Sequence, residues 1–94
     1  MSDQPLKLRL VYRGRVQGVG FRYTTDRIAR GFSVVGSVRN QSDGTVELIV
    51  SGENSDVRPF LAAVADAFGG NITNVEEQPL GDATPIGAGF SIRY

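Results

Sequence analysis

Hydrophobic positions alternate from the start of the chain. Leu6, Leu8, Leu10 and Tyr12 fall on one face, with Lys7, Arg9, Val11 and Arg13 between them. A period of two predicts a half-buried strand. The period then changes. Phe21, Thr25, Ile28, Ala29 and Phe32 recur at helical spacing, which predicts a short first helix. Val34 to Asn40 reads as a second strand and Thr45 to Ser51 as a third, joined by the turn Gln41-Ser42-Asp43-Gly44. Turn residues between two strand patterns predict a hairpin. Val57, Phe60, Leu61, Val64 and Phe68 lie on one stripe of a second helix. Asn54-Ser55 is placed to cap it, Pro59 is read as lying in its first turn, and Gly69-Gly70 ends it. Ile72 to Leu80 is a weaker strand, Pro79, Gly81 and Pro85 mark a loop, and Gly89 to Tyr94 is a last short strand.

The predicted order is β-α-β-β-α-β with one strand added at the end. Two amphipathic helices crossing between strands must each bury one face. They are expected together on one side of an antiparallel sheet, an α+β sandwich of the ferredoxin-like plan. With 94 residues, the chain is expected to form one domain over positions 1–94, with positions 1–5 flexible. That plan serves enzymes, RNA-binding modules and regulatory domains alike, so it leaves function open.

Composition narrows the chemistry. The chain has no cysteine and no histidine. That removes disulfides, thiolate nucleophiles, the usual zinc sites and the commonest general base. Any catalysis has to rest on positioning and electrostatics. No apolar run approaches the roughly 20 residues of a membrane span, and the polar start shows no signal peptide, so a cytoplasmic location is expected. Net charge is zero but unevenly spread: Lys7 to Arg39 carries +7, and Asn40 onward carries −6. An anion-binding region in the first part would account for this, and so would strand arginines paired with acids of the second part.

One of these arginines stands apart. The loop between the first strand and the first helix runs Gly14-Arg15-Val16-Gln17-Gly18-Val19-Gly20-Phe21-Arg22. A glycine-rich turn lets backbone N–H groups crowd around one point, a helix N-terminus adds partial positive charge, and Arg22 adds a planar cation. Together they favour a small tetrahedral anion such as phosphate. The loop is not a P-loop, because it lacks the Gly-Lys-Ser/Thr ending. Nor is it a dinucleotide fingerprint, because position 23 is Tyr where a third glycine belongs. A second candidate is Asn40 at the end of the second strand, whose amide could hold a water in line with a phosphorus in the loop. From pattern alone, Asn40 reads first as the residue that opens the hairpin turn.

The loop and the segment Gly36-Ser37-Val38-Arg39-Asn40 through Asp43-Gly44-Thr45-Val46-Glu47 together resemble the two signatures of the acylphosphatase family. Gly89 to Tyr94 is also similar to that family's usual ending, and the resemblance runs from Leu6 onward. It implies hydrolysis of the carboxyl–phosphate bond of acylphosphates to a carboxylate and inorganic phosphate. It further implies that Arg22 and the loop Arg15, Val16, Gln17, Gly18, Val19 and Gly20 bind the phosphoryl group, that Asn40 orients the attacking water, and that no metal or organic cofactor takes part. Inorganic phosphate or sulfate should then inhibit, and the protein should act as a monomer on a small-molecule substrate. The family often has Gly where Ser33 stands and Trp where Ser37 stands. Both departures bear on stability, Ser33 by having to adopt a helix-ending conformation that suits Gly. The rival reading is a non-enzymatic binding module for RNA or a small anion. A missing aromatic RNP pattern and zero net charge argue against nucleic acid. Domains of this type also occur within a large hydrogenase-maturation carbamoyltransferase, from which the shortness of this chain separates it.

Overall fold

A computed structural model describes residues 5–81 and 86–94. The elements run β1 (Pro5–Gly14), α1 (Phe21–Ala29), β2 (Val34–Asn40), β3 (Val46–Glu53), α2 (Asn54–Phe68), β4 (Ile72–Pro79) and β5 (Phe90–Arg93). Of the stretch expected to be flexible, Pro5 opens β1, and residues 1–4 lie outside the described residues. Part of the expected Pro79–Pro85 loop, residues 82–85, also lies outside them.

The strands form one sheet in the order β4-β1-β3-β2-β5. The four strands β4, β1, β3 and β2 are antiparallel neighbours, whereas the added β5 runs parallel to β2. Both helices lie on the face that carries Leu8, Leu10, Tyr12, Val34, Val38, Val46, Leu48 and Val50, and they close the core with Phe21, Val57, Phe60 and Val64. Phe21, the first residue of α1, is pinned between Tyr12 and Phe68, with ring centroids 5.0 and 4.5 Å away. The start of α1 is therefore fixed by aromatic packing. Burial pushes the Tyr12 phenol well above its ordinary pKa, with Glu77 adding to the effect, so it stays protonated at neutral pH.

Several boundaries differ from the pattern. The apolar period continues to Phe32, but α1 stops at Ala29. Beyond it, Arg30, Gly31 and Phe32 donate to Arg27, Ile28 and Ala29, the tighter i→i+3 spacing. Phe32 still reaches the core from this turn, edge-on to Phe60 at 6.0 Å. Among the described residues no non-glycine residue has positive φ, so Ser33 carries no strain where a glycine was expected to sit more easily. Its N–H donates to the Asp56 carboxylate. Helix α2 begins one residue early. Glu53 stands at its cap without a side-chain capping bond, and Asn54 and Ser55 lie inside the helix. Pro59 therefore falls in the second turn, not the first, where it removes one ladder hydrogen bond. Ser37 lines a cavity of about 350 Å³ with Gly36, Ile49, Phe90 and Ser91, where a larger side chain would pack.

The charge asymmetry resolves in part into ion pairs on the sheet face away from the helices, made by Arg9, Arg13 and Arg39. The buried Glu47 carboxylate receives Arg9 at 2.6 Å and Arg39 at 2.9 Å from the two flanking strands. Arg13 meets Glu76 at 3.1 Å. These arginines serve the sheet rather than a ligand.

One core position is poorly matched. Thr25 is fully buried on α1, and among the described residues its hydroxyl has no hydrogen-bond partner. Valine has nearly the same shape and helix propensity. Thr25→Val should stabilise the fold by about 1 kcal/mol, because an unsatisfied buried hydroxyl carries a desolvation cost of that order. A rise of ~4–8 °C in Tm is expected for a domain of this size. A lowered Tm in thermal denaturation would show that the hydroxyl is bonded after all.

Candidate active site

Strand direction and register build the site. Because β1 and β2 both pair antiparallel with β3, they run parallel to each other, and β5 runs parallel to β2. The carboxyl ends of these strands therefore lie on one edge of the sheet. Tyr12 and Asn40 are level, each paired with Val46, and Arg93 is level with Arg39. The loop 14–20 leaves β1 at this edge, and α1 begins there. Asn40 shares the helix-side face with Val38 and Tyr12, so it lies on the side of the sheet that α1 covers.

A cavity of about 120 Å³ opens at that point. Its walls are Val16, Gly18 and Gly20 of the loop, Phe21, Arg22 and Tyr23 of α1, Asn40 of β2, and Ile92 and Tyr94 at the end of β5. Arg22 and Asn40 are thus brought to one cavity, and its walls contain no acidic residue. Gly20 occupies the cap position of α1 in the left-handed region, with φ 77°, and Gly18 has φ 75°. A Cβ would meet nothing within 4 Å at either position, so what these sites need is the backbone conformation, not the space. Two such glycines turn the chain sharply into the helix. Among the described residues, no backbone N–H from Val16 to Tyr23 is engaged by a backbone carbonyl, whereas Thr24 donates to Gly20. A row of open donors at a helix start is a cradle for an anion.

Not every loop residue contributes. The Arg15 N–H donates to the Asn71 carbonyl at 2.8 Å, and the Asn71 side chain donates back to the Arg15 carbonyl. That N–H is spent on holding the loop and is not one of the open donors. Val16 is buried in the core and anchors the loop. Arg15, Gln17 and Val19 do not line the cavity. The Gln17 side chain turns towards the β2–β3 hairpin and donates to the carbonyls of Gln41 and Thr45.

Arg22 has no carboxylate partner among the described residues. It donates to the Arg93 carbonyl at 3.2 Å, and its guanidinium carbon lies 4.8 Å from the centre of the Tyr94 ring. The last strand thus holds the cation by a carbonyl and a ring face, and neither neutralises it. Sequence reasoning assigned no role to Arg93 or Tyr94. The available signal was the similarity of Gly89–Tyr94 to a family ending, which alone does not say what those residues touch.

Asn40 does not serve the turn. Its side chain makes no hydrogen bond among the described residues. The turn is closed by Gln41 N–H to Thr45 at 2.8 Å and by Asp43, whose Oδ1 accepts from the Thr45 hydroxyl at 2.6 Å and from the Thr45 N–H. Those bonds hold the Asp43 carboxyl below its ordinary pKa, the hydroxyl contributing most. The turn-opening role read for Asn40 thus belongs to its neighbours, and its amide is left free at the cavity wall.

Comparisons with known proteins identify the family. The family model described as acylphosphatase matches residues 8–92. An acylphosphatase of Lacticaseibacillus paracasei is 40% identical over 89 residues, which cover 93% of this chain and 95% of the relative. The crystal structure of acylphosphatase from Bacillus subtilis superposes with a TM-score of 0.82 at 31% identity, covering 95% of this chain and 99% of that one. The full-length HypF crystal structure matches with a TM-score of 0.76 at 21% identity, covering all of this chain but 12% of its own, and shows a shared fold alone. The chain belongs to the acylphosphatase family.

Proposed function

We propose that this member of the acylphosphatase family hydrolyses acylphosphates with Arg22 and the loop N–H groups as phosphoryl binders and Asn40 as the residue that orients water. The observation that carries the assignment is the cavity, free of acidic side chains, that is lined together by Arg22, by Gly18 and Gly20 with N–H groups that no backbone carbonyl takes, and by Asn40 with its unengaged amide. An acylphosphate is a mixed anhydride whose leaving group is a carboxylate, so it departs without a proton donor. The reaction needs the phosphorus held, the developing charge on its oxygens met, and water brought in line. Preorganised N–H groups and a planar guanidinium meet that charge without reorganising. The Asn40 side-chain oxygen, Oδ1, accepts a hydrogen bond from the water. Attack forms the new P–O bond as the P–O bond to the acyl group breaks. The water proton passes to a phosphoryl oxygen, and the products are a carboxylate and inorganic phosphate. A chain without histidine is suited to this route.

The RNA-module reading fares worse. RNA-binding sheets stack bases on exposed aromatics. The open sheet face here carries the Arg9–Glu47–Arg39 cluster and, among the described residues, no aromatic side chain. No described helix is long and apolar enough to cross a membrane. Our reading includes a monomer and a cytoplasmic location, the latter in keeping with the absence of cysteine.

The decisive assay is phosphate release from acetyl phosphate or benzoyl phosphate, with equal rates expected in the presence and absence of a chelator. Inorganic phosphate and sulfate should inhibit competitively and raise Tm, because both fit the N–H cradle and a ligand of the native state stabilises it. Chloride at equal ionic strength should do neither. Equal stabilisation by chloride would reduce the effect to screening.

A further inference from the structure

Gln17 sits in the phosphate loop, yet its side chain turns away from the cavity. Its Nε2 lies 2.7 Å from the Gln41 carbonyl and 2.9 Å from the Thr45 carbonyl. Both neighbours are acceptors, so the amine end must face them. The same two carbonyls close the hairpin: Thr45 accepts from the Gln41 N–H and Gln41 accepts from the Gly44 N–H. One side chain therefore plugs into the turn that begins immediately after Asn40, and it is the direct side-chain tie between that turn and the loop among the described residues. Its backbone neighbour Val16 is locked in the core, so the loop end of the tie does not drift.

We propose that Gln17 is a positioning residue that sets the distance between the phosphate cradle and Asn40 and acts on the reaction through Asn40. The proposal rests on the water-orienting role of Asn40 stated above. In-line attack needs the bound phosphorus, held by the loop, and the water, held by β2, to be in register. The two come from segments 24 residues apart in sequence that Gln17 fastens together. A misplacement of about 1 Å at such a site costs ~10²-fold in rate. A residue that merely stabilised the loop would instead change phosphate binding and rate together.

The test is a double-mutant cycle in the full chain. Gln17→Met keeps length and removes both donors without adding charge. It should lower kcat by about 10- to 100-fold while the inhibition constant of inorganic phosphate stays within about twofold, since the backbone donors and Arg22 are both retained. In an Asn40→Ala background, Gln17→Met should lower kcat no further, because residues acting as one unit are non-additive. Gln17→Asn, one methylene shorter, is the second variant should the methionine form not fold, and it should show the same pattern with a smaller loss. The proposal is overturned by an undiminished kcat in a folded Gln17 variant. It is equally overturned by the same fold-loss in both backgrounds, or by phosphate binding that weakens in step with rate. If Asn40→Ala alone keeps full kcat, the water-orienting reading itself fails, and the proposal falls with it by a different result.

Discussion

Arg22→Ala should lower kcat/KM by at least ~10²–10³, about 3–4 kcal/mol of lost transition-state stabilisation. The guanidinium is the cation lining the cavity, no carboxylate side chain among the described residues pairs with it, and it adjoins the open N–H groups of the loop. Binding of phosphate should weaken as well, because in the proposed mechanism the cation meets the phosphoryl group before and during reaction. The fold should survive. What Arg22 touches in the protein is the Arg93 carbonyl and the almost fully exposed Tyr94 ring, contacts worth little to stability, while Phe21 fixes the helix start without it. Tm within a few degrees of the parent is the companion expectation. Arg22→Lys should recover little, because a point charge on a flexible stem cannot present a planar fork to two oxygens. Near-normal hydrolysis by a folded Arg22→Ala protein would remove Arg22 from the site.

The meeting of Arg22 and Asn40 at one cavity was more legible in the sequence than what surrounds them. A change of period from two to helical spacing across a glycine loop marks both the end of β1 and the start of α1, and Arg22 falls there by arithmetic. The pairing of Asn40 with that loop was legible through the strand order, since β1 and β2 must run parallel once a helix crosses between them and a hairpin follows. Apolar spacing could not show where α1 stops, because Phe32 continues the period from a tight turn and still packs on Phe60. Nor could a local pattern show that the Arg15 N–H is spent on Asn71, that Gln17 reaches the hairpin, or that Arg93 and Tyr94 hold Arg22. Each of those contacts joins distant parts of the chain, and only a closed sheet brings them together. The role of Asn40 turned on the same point. A turn residue and a site residue look alike in sequence, and the distinction lies in whether the amide is used by the turn.

That distinction sets the second large effect. Asn40→Ala should lower kcat by about 10²-fold or more while the inhibition constant of phosphate changes little. On the proposed division of labour phosphate is held by Arg22 and the loop, neither of which alanine at position 40 disturbs, and the charge of the cavity is unchanged. The amide would touch only the water, so its contribution appears when the nucleophile is aligned, which is a transition-state effect and shows in kcat. A structural role predicts otherwise: if Asn40 held the hairpin, its loss would lower Tm and reduce binding and rate in proportion. The turn has its own supports in the Gln41–Thr45 and Asp43–Thr45 hydrogen bonds, and none of them involves the Asn40 side chain. Tm should therefore stay close to that of the parent. Measuring kcat, phosphate inhibition and Tm on one preparation separates the two roles. Parallel losses of binding and rate, or a large fall in Tm, would return Asn40 to the turn and leave the attacking water without a partner on β2.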